Sequence, residues 1–289
     1  MTATHTALGV DWLAVCRRAV EGLERVLAES PTTAERVRET GTRGSGGDRT
    51  LLHDAAAEDV VFAELAELAE QGYRFRAVSE ERGEVDFGSD HVRVIIDPID
   101  GSLNAKRSTP HYALSIAVAD GPTMADVAFG FVHDFGANEQ FWAWRGQGAW
   151  LVSRSGPPGA QRLDPTIGER RNRVGKLELV GIEASDPRWI AEAIDGLVET
   201  SHRLRALGAI AITLCEVAAA RLDGMVTLIR ARGVDGAAGQ LIVREAGGVV
   251  SFPDCEEPLG APLDANPVSY LVAARTERGL HELEGVVSS

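Results

Sequence analysis

The sequence feature that most constrains the fold is an apolar run that leads directly into two aspartates. Residues 92–96 (VRVII) have the composition of a buried strand, and residues 97–102 (DPIDGS) follow at once. The carboxylates of Asp97 and Asp100, three residues apart across a predicted proline turn, can converge on one point. Gly101 allows the backbone to approach a ligand closely, so its amide and the next one can face an anion. Because oxygen ligands at this density suit Mg²⁺, the pattern indicates a cation and phosphate site at the end of a strand.

The same segment also fits a simpler interpretation, a surface turn in which an aspartate caps a helix. Asp-Pro and Asp-Gly pairs are common in turns, so the motif alone does not decide between the two. Other acidic residues adjoin predicted elements, and each of them could instead be a solvated loop charge or a helix cap. They are Glu80-Glu81 after the strand-like run at 74–79, Asp235 at the start of a predicted helix at 234–246, and Asp48 and Asp54 near a glycine-rich loop.

The order of these motifs resembles the inositol monophosphatase/fructose-1,6-bisphosphatase superfamily. The resemblance covers about residues 40–252 and rests on several ordered motifs rather than on one. The run at 97–104 (DPIDGSLN) is highly specific, and the later segment at 234–248 (VDGAAG…EAGG) agrees with it. The resemblance implies the α/β (α+β) class, with the layered α/β/α/β/α sandwich of this superfamily.

The resemblance also implies roles for individual residues. The implied metal ligands are Glu80, Asp97, the carbonyl of Ile99, Asp100 and Asp235, with Asp54 for a third, weakly held ion and Glu81 in a less direct acidic position. The implied catalytic residues are Glu80, Asp54 and Ser102, and Gly101 and Ser102 are the implied phosphate-binding positions. The cofactor would be Mg²⁺, about two to three ions per site, with Mn²⁺ as a substitute.

The implied reaction is hydrolysis of a small polyol or sugar phosphate monoester by metal-activated water, of the inositol-phosphate/fructose-1,6-bisphosphate type. The archaeal-type branch with dual activity is the most similar one. Two alternatives stay open. One is a phosphatase for a nucleotide of the 3′-phosphoadenosine phosphate type or for a specialised-metabolite sugar phosphate. The other is a degenerate member that only binds metal, against which the intact acidic set argues.

Arginines supply the candidate substrate contacts. Arg205 follows Arg203 closely, and Arg232 follows Arg230 just before Asp235. Guanidinium groups suit phosphate and sugar oxygens, so we expect Arg205 and Arg232 to contact substrate. Solvated or ion-paired surface charge is the alternative for each of them.

One position predicts something about specificity. In members specialised for inositol phosphate, an acidic residue seven positions before the last metal aspartate contacts the inositol hydroxyls. Here that position is Leu228, which cannot accept a hydrogen bond. A site without that acceptor loses its preference for the hydroxyl, so we expect an enzyme that is not dedicated to inositol phosphate.

Composition and charge exclude several classes of function. The 289-residue chain has 43 acidic and 29 basic side chains and a net charge of −14, whereas nucleic-acid binding normally needs a basic stripe. Three widely spaced cysteines argue against a disulfide framework. We find no signal peptide and no apolar run for a membrane span, so we expect a cytoplasmic protein without nucleic-acid or membrane partners. Its partner would be a small-molecule phosphate ester, and the resemblance implies a homodimer.

The pattern of elements predicts two lobes. Residues 153–176 are rich in Ser, Gly, Pro and Arg and mark the boundary. The N-terminal α+β lobe (1–155) would carry the glycine-rich loop and both acidic motifs, and the C-terminal α/β lobe (156–289) would carry Asp235. The glycine-rich loop at 41–48 is predicted to be a mobile lid that brings Asp48 and Asp54 to the site, with a plain linker as the alternative.

Overall fold

Helices and strands alternate along the computed structural model, which describes residues 5–29, 32–33, 39–43, 49–89 and 91–287. The helices are α1 (Trp12–Glu29), α2 (Leu52–Glu70), α3 (Ser102–Arg107), α4 (Pro187–Thr200), α5 (Ile210–Ala218), α6 (Gly233–Glu245) and α7 (Glu277–Val287), with 3₁₀ turns at Ala7–Gly9 and Met124–Asp126. Among the described residues, no helix is both long and apolar enough to cross a membrane.

The strands divide between two principal sheets and three short pairs. They are β1 (His5–Thr6), β2 (Glu39–Arg43), β3 (Arg49–Leu51), β4 (Tyr73–Arg74), β5 (Arg76–Ser79), β6 (Gly83–Asp86), β7 (Arg93–Asp100), β8 (Ala113–Ala119), β9 (Val127–Asp134), β10 (Glu139–Trp144), β11 (Gly148–Ser153), β12 (Gln161–Arg162), β13 (Leu177–Glu183), β14 (Ser201–Arg205), β15 (Gly224–Thr227), β16 (Ala231–Arg232), β17 (Val249–Ser251), β18 (Pro267–Ser269) and β19 (Val272–Ala274).

The larger sheet has eight strands in the order β12-β11-β10-β9-β8-β7-β5-β6. All its neighbours are antiparallel except β5 and β7, which run parallel with Ser79 opposite Ile96. Because parallel strands end at the same edge of a sheet, the residues that follow β5 and those that end β7 meet there.

The smaller sheet has five strands in the order β14-β13-β15-β19-β17. Its strands β14, β13 and β15 are parallel, and β19 is antiparallel to both of its neighbours. The parallel strands end on the side where α5 begins, which brings Glu183 and Thr227 to the same end of the molecule as Asp100.

Apolar cores fill the interfaces between layers. Val94 and Ile96 of β7 pack with α1 and α2 on one face of the larger sheet. Ile95 points to the opposite face, into a core shared with α5, α6 and Met225 of the smaller sheet. A further core joins the other face of the smaller sheet, through Val226, to α4 and α7. The alternation of β7 side chains thus follows the period of two of a strand buried on both faces. The result is the predicted α/β/α/β/α sandwich.

The strands predicted at 74–79 and 92–96 and the helix predicted at 234–246 form within a few residues of those bounds. The exception that matters is the turn expected at Pro98: β7 continues through it to Asp100, and its register against β8 shifts between Asp97 and Asp100. Proline donates no ladder hydrogen bond, so it is tolerated at such an irregularity. The edge strand β14 was not predicted.

Two sequence predictions remain predictions. The strands of the larger sheet lie between Arg76 and Arg162 and those of the smaller sheet between Leu177 and Ala274, and the division into lobes at 155/156 lies close to this change. Residues 44–48, with Asp48, lie outside the described residues, and so the expected lid at 41–48 is covered only at 41–43.

Candidate active site

Four acidic side chains from three elements meet at the edge where β5 and β7 end. Glu80 directly follows β5, Asp97 and Asp100 belong to the last four residues of β7, and Asp235 lies in the first turn of α6. Asp97 interacts electrostatically with the other three. Asp235 lies 135 residues beyond Asp100 in the sequence, so only the layered fold brings its charge to the other three.

The aspartates of this cluster are buried. Asp97 is 2% exposed, and Asp100 and Asp235 are each 7% exposed. Burial raises the pKa of Asp97 well above its usual value, and the negative charges of Glu80, Asp100 and Asp235 raise it further. Burial and the charge of Asp235 likewise raise the pKa of Asp100. Mutual repulsion of buried carboxylates is the arrangement that a bound cation relieves.

Asp100 is held by the start of a distant helix. Its carboxylate accepts hydrogen bonds from the backbone amides of Ile210 at 3.2 Å and Ala211 at 2.7 Å, in the first turn of α5. The alternative interpretation of the motif was an aspartate in a surface turn that caps a helix. It is wrong, because the aspartate that binds these helix amides is buried. The helix is 110 residues further along the chain, and the carboxylate is buried.

Gly101 forms a tight turn between β7 and α3. Its φ is +80°, and a Cβ atom there would lie 2.6 Å from the carbonyl oxygen of His111 and 3.0 Å from Cβ of Ala209. Asn104, at the end of the motif, donates through Nδ2 to the carbonyls of His111 at 2.8 Å and Leu207 at 2.7 Å. The turn is thus fastened to two neighbouring segments, and Ser102, the first residue of α3, stays exposed.

Arg232 joins two of the carboxylates. Its Nη1 donates to Glu80 at 2.6 Å, and its Nη2 donates to Asp235 at 2.9 Å. Burial lowers the pKa of Arg232, but the charges of Asp235 and Glu80 outweigh that effect and raise it. The guanidinium therefore stays charged and offsets part of the negative charge of the cluster.

The donor set fits a divalent cation in its chemistry. It consists of carboxylates, with the backbone of Ile99 between them, and hard oxygen ligands of this kind bind Mg²⁺. Asp97 accepts the amide hydrogen of Ile99 at 3.1 Å, which orients that peptide at the site. As they stand, no three His, Cys, Asp or Glu side chains within the described ranges form a complete metal-binding group. Arg232 lies between Glu80 and Asp235, so these two would have to exchange a guanidinium for a cation.

The remaining predicted acidic residues lie on α2 and directly after Glu80. Asp54 is buried in the first turn of α2, on the helical layer that packs against β7. Glu81 is half-buried beside Glu80. Glu58, four residues after Asp54, was not predicted although its spacing puts it on the same helix face. It is 2% exposed, accepts the Ser79 hydroxyl and the amide of Arg82 at 3.2 Å, and so fixes the end of β5 before Glu80.

A cleft opens beside the cluster. It has a volume of about 290 Å³, and its lining includes Asp235, Arg232, Arg230, Ile210 and Thr227. Arg230 is paired with Asp254 at 2.8 Å at the rim of this cleft. Arg205 and Arg203 line a different cavity.

Leu228 does not face this cleft. Its side chain is 6% exposed and packs in the apolar core between the smaller sheet and the helices α4 and α7. The neighbours Thr227 and Ile229 line the cleft instead, and neither of them carries a charge. The cleft therefore has no acidic side chain at this position.

The sequence profile of the inositol monophosphatase family matches residues 12–287. The chain belongs to this family. Curated relatives agree: a fructose-1,6-bisphosphatase/inositol-1-monophosphatase of Methanothermobacter thermautotrophicus is 32% identical over 252 residues, covering 83% of this chain and 84% of the relative. The Nus factor SuhB of Escherichia coli (strain K12) is 34% identical over 243 residues, with the same coverage of 83% and 84%.

Solved structures of inositol monophosphatase family members share the fold. An inositol monophosphatase–fructose 1,6-bisphosphatase superposes with a TM-score of 0.78 at 24% identity, covering 96% of this chain and 100% of that one. The extragenic suppressor protein suhB of Bartonella henselae superposes with a TM-score of 0.74 at 23% identity, covering 96% and 98%. Family membership makes this protein a phosphoric monoester hydrolase, and the family is generally metal-dependent.

Proposed function

We propose that the protein is a Mg²⁺-dependent phosphatase that hydrolyses a small sugar or polyol phosphate monoester. The observation that carries the proposal is the convergence of three buried aspartates and the half-buried Glu80 beside the Gly101 turn, at the mouth of an open cleft. The names of the archaeal relatives, which join fructose-1,6-bisphosphatase and inositol-1-monophosphatase, support the substrate class.

The residues that would hold the cations follow from the donor set. Two Mg²⁺ or Mn²⁺ ions would be held by Glu80, Asp97, the carbonyl of Ile99, Asp100 and Asp235. Glu81 would occupy a less direct acidic position, and Asp54 would bind a third, more weakly held ion. When bound, the cations supply positive charge to the phosphate and lower the pKa of a water ligand.

The chain itself would position the reactants. The backbone of Gly101 and the exposed hydroxyl of Ser102 would bind phosphate oxygens, since the Gly101 turn leaves no side chain in the way. Glu80 would orient the attacking water together with Ser102. Arg232, already charged beside Glu80, would donate hydrogen bonds from its guanidinium group to a phosphate or sugar oxygen in the cleft.

We also propose that the enzyme is a cytoplasmic homodimer without nucleic-acid or membrane partners.

Removing one carboxylate of the cluster tests this function directly. We expect Asp97→Asn and Asp235→Asn each to lower kcat by ~100-fold or more in saturating Mg²⁺, because each removes charge that holds a cation. Phosphate release from a panel of sugar, polyol and nucleotide phosphates is the measurement. The matched control is Asp195→Asn, an exposed residue of α4, which should keep full activity. Undiminished turnover in EDTA would contradict the metal requirement.

Substrate preference tests the interpretation of Leu228. Because the cleft lacks an acidic group there, inositol 1-phosphate gains no hydroxyl-specific contact at that position. We expect kcat/KM for fructose 1,6-bisphosphate or another sugar phosphate to equal or exceed that for inositol 1-phosphate. A preference for inositol 1-phosphate greater than about tenfold, or about 1.4 kcal/mol of transition-state free energy, would show that this interpretation is wrong.

A further inference from the structure

A second cavity lies on the α5 side of β14 and is lined by arginines. Its volume is about 410 Å³, and its polar lining consists of Arg170, Arg203, Arg205, Arg221, Glu178 and Asp223. We refer to it as the arginine cavity. It shares no lining residue with the catalytic cleft. Along β15, Asp223 of the arginine cavity and Thr227 of the cleft lie at opposite ends, about 13 Å apart.

Three of these arginines have no acidic partner within the described ranges. Arg170 and Arg203 make no side-chain hydrogen bond or ion pair there, and Arg205 donates only to the carbonyl of Leu204 at 2.9 Å. Arg221 differs, because Glu139 at 2.6 Å and Glu216 at 2.8 Å hold it. Three guanidinium groups outside any described ion pair thus line one cavity with two acidic residues, Glu178 and Asp223, in a chain with a net charge of −14.

The backbone around the arginine cavity is fixed by a buried carboxylate. Asp223 is 3% exposed and accepts the backbone amides of Arg170 at 2.7 Å and Leu179 at 2.8 Å, one with each oxygen. Both of its oxygens are therefore engaged by backbone amides, and within the described residues Asp223 forms no ion pair with a guanidinium group. Arg203 and Arg205, two residues apart on β14, point to the same side of the strand. Their donors are thus presented from a rigid frame rather than from a loop.

We propose that the arginine cavity binds a small phosphorylated molecule at a site separate from the catalytic cleft. Its volume lies in the range of small-ligand pockets, about 300–1,000 Å³. A guanidinium group can donate two parallel hydrogen bonds to a pair of phosphate oxygens. Three such groups therefore suit a ligand that presents several phosphate oxygens. A nucleic acid would need a basic stripe along the surface, whereas this positive charge is confined to one concave site on an acidic molecule.

Titration calorimetry with inorganic pyrophosphate in EDTA tests the site without metal or turnover. We expect the wild-type protein to bind pyrophosphate and Arg203→Glu/Arg205→Glu to bind it at least tenfold more weakly. The matched control is Arg154→Glu/Arg173→Glu, which makes the same charge change at exposed arginines outside the cavity and should stay within twofold of wild type. Absence of pyrophosphate binding to the wild type at 1 mM would overturn the proposal.

Additional variants separate the arginine cavity from the catalytic cleft and from a self-association surface. Arg232→Gln changes the catalytic cleft and should leave pyrophosphate affinity within twofold; if it abolishes binding, the anion sits in the cleft and the proposal is wrong. Arg203→Lys/Arg205→Lys keeps the positive charge but removes the paired donors of the guanidinium groups. We expect this variant to bind pyrophosphate several-fold more weakly than the wild type. If Arg203→Glu/Arg205→Glu and Arg203→Lys/Arg205→Lys both keep the wild-type affinity for pyrophosphate, and light scattering shows that their molar mass differs from that of the wild type, the surface serves self-association and the proposal is wrong.

A single-stranded RNA oligonucleotide provides the last arm of the experiment. Wild-type binding to the RNA without binding to pyrophosphate would show that the cavity serves a nucleic acid and would overturn the proposal. All these measurements are independent of phosphatase activity, so a failure of the proposed catalytic function leaves their outcome intact.

Discussion

At the scale of single residues, the site depends most visibly on Gly101. The turn places the last carboxylate of β7 and the first residue of α3 side by side, and it does so with a φ of +80°. Only glycine adopts this conformation without strain. The close carbonyl of His111 adds a second requirement, because even a methyl group has no room there.

We expect Gly101→Ala to lower the free energy of unfolding by about 1–3 kcal/mol and to reduce kcat as well. The reason is that the methyl group must push the His111 carbonyl or the Ala209 methyl away, which shifts the segment that holds Asp100. Gly146→Ala is the matched control. Its φ is +77°, but a Cβ atom added there would have no neighbour within 4 Å, so this variant reports backbone strain alone and should leave kcat unchanged. Chemical denaturation and steady-state kinetics measure both effects.

The sequence was informative about individual residues where a motif carried the chemistry. The acidic motif led to Asp97, Asp100 and Gly101, which lie together as expected. It did not lead to the bridge that Arg232 makes between Glu80 and Asp235, because a rotamer depends on neighbours that only the fold supplies. Arg205 was expected to contact substrate, which stays a prediction; it lines the arginine cavity and lies on β14, a strand that was not recognised from the sequence.

At the scale of elements, Glu183 joins the smaller sheet to the catalytic edge of the larger one. At the end of β13, its carboxylate is 2% exposed and accepts the Thr213 hydroxyl at 2.5 Å and the amide of Gly208 at 3.0 Å. Burial raises the pKa of Glu183. Because these bonds fix the start of α5, whose amides hold Asp100, the carboxylate positions an active-site residue without touching substrate.

Glu183→Ala should therefore affect both folding and catalysis. We expect the free energy of unfolding to fall by about 3 kcal/mol, since the part-buried amides of Leu207 and Gly208 and the buried hydroxyl of Thr213 lose their acceptor, and kcat to fall with it. The control Thr213→Val removes only the hydroxyl donor and should cost about 1 kcal/mol with kcat nearly unchanged. Equal loss of kcat in the two variants would contradict a positioning role for the carboxylate.

Elements were predictable from the sequence where apolar residues recur regularly. The apolar run at 92–96 predicted the first half of β7, because strands buried on both faces are continuously apolar. The edge strand β14 (SHRLR) has mostly exposed polar side chains and therefore no such signal. Glu183 was missed for a related reason: a lone glutamate at the end of a strand does not show from sequence that it will be buried.

At the scale of the whole molecule, the larger sheet and α6 enclose the acidic cluster, while the layers beyond supply stability. His133 is a titratable side chain buried within the larger sheet and the layer that packs on it. It follows Phe129 and Phe131 at alternate positions of β9, is 1% exposed, and packs edge-on against Phe135 with ring centroids 4.7 Å apart. Burial lowers the pKa of His133 to about 4, so the folded protein keeps this ring neutral in weak acid.

This buried ring gives the stability of the whole fold a defined dependence on pH. In the unfolded chain a histidine has its ordinary pKa of 6.5, so between pH 6.5 and about 4 the unfolded state binds a proton that the folded state does not. Stability contributed by neutral His133 is therefore present above pH 6.5 and is lost as the pH falls through this window. Between pH 7 and 5 the wild-type protein should lose about 2 kcal/mol more than His133→Phe, which cannot titrate. Urea denaturation of the metal-free protein at both pH values measures the difference. The control His281→Phe, at an exposed histidine, should lose as much stability between pH 7 and 5 as the wild type. An equal loss of stability in the wild type and in His133→Phe would show that the folded state takes up this proton.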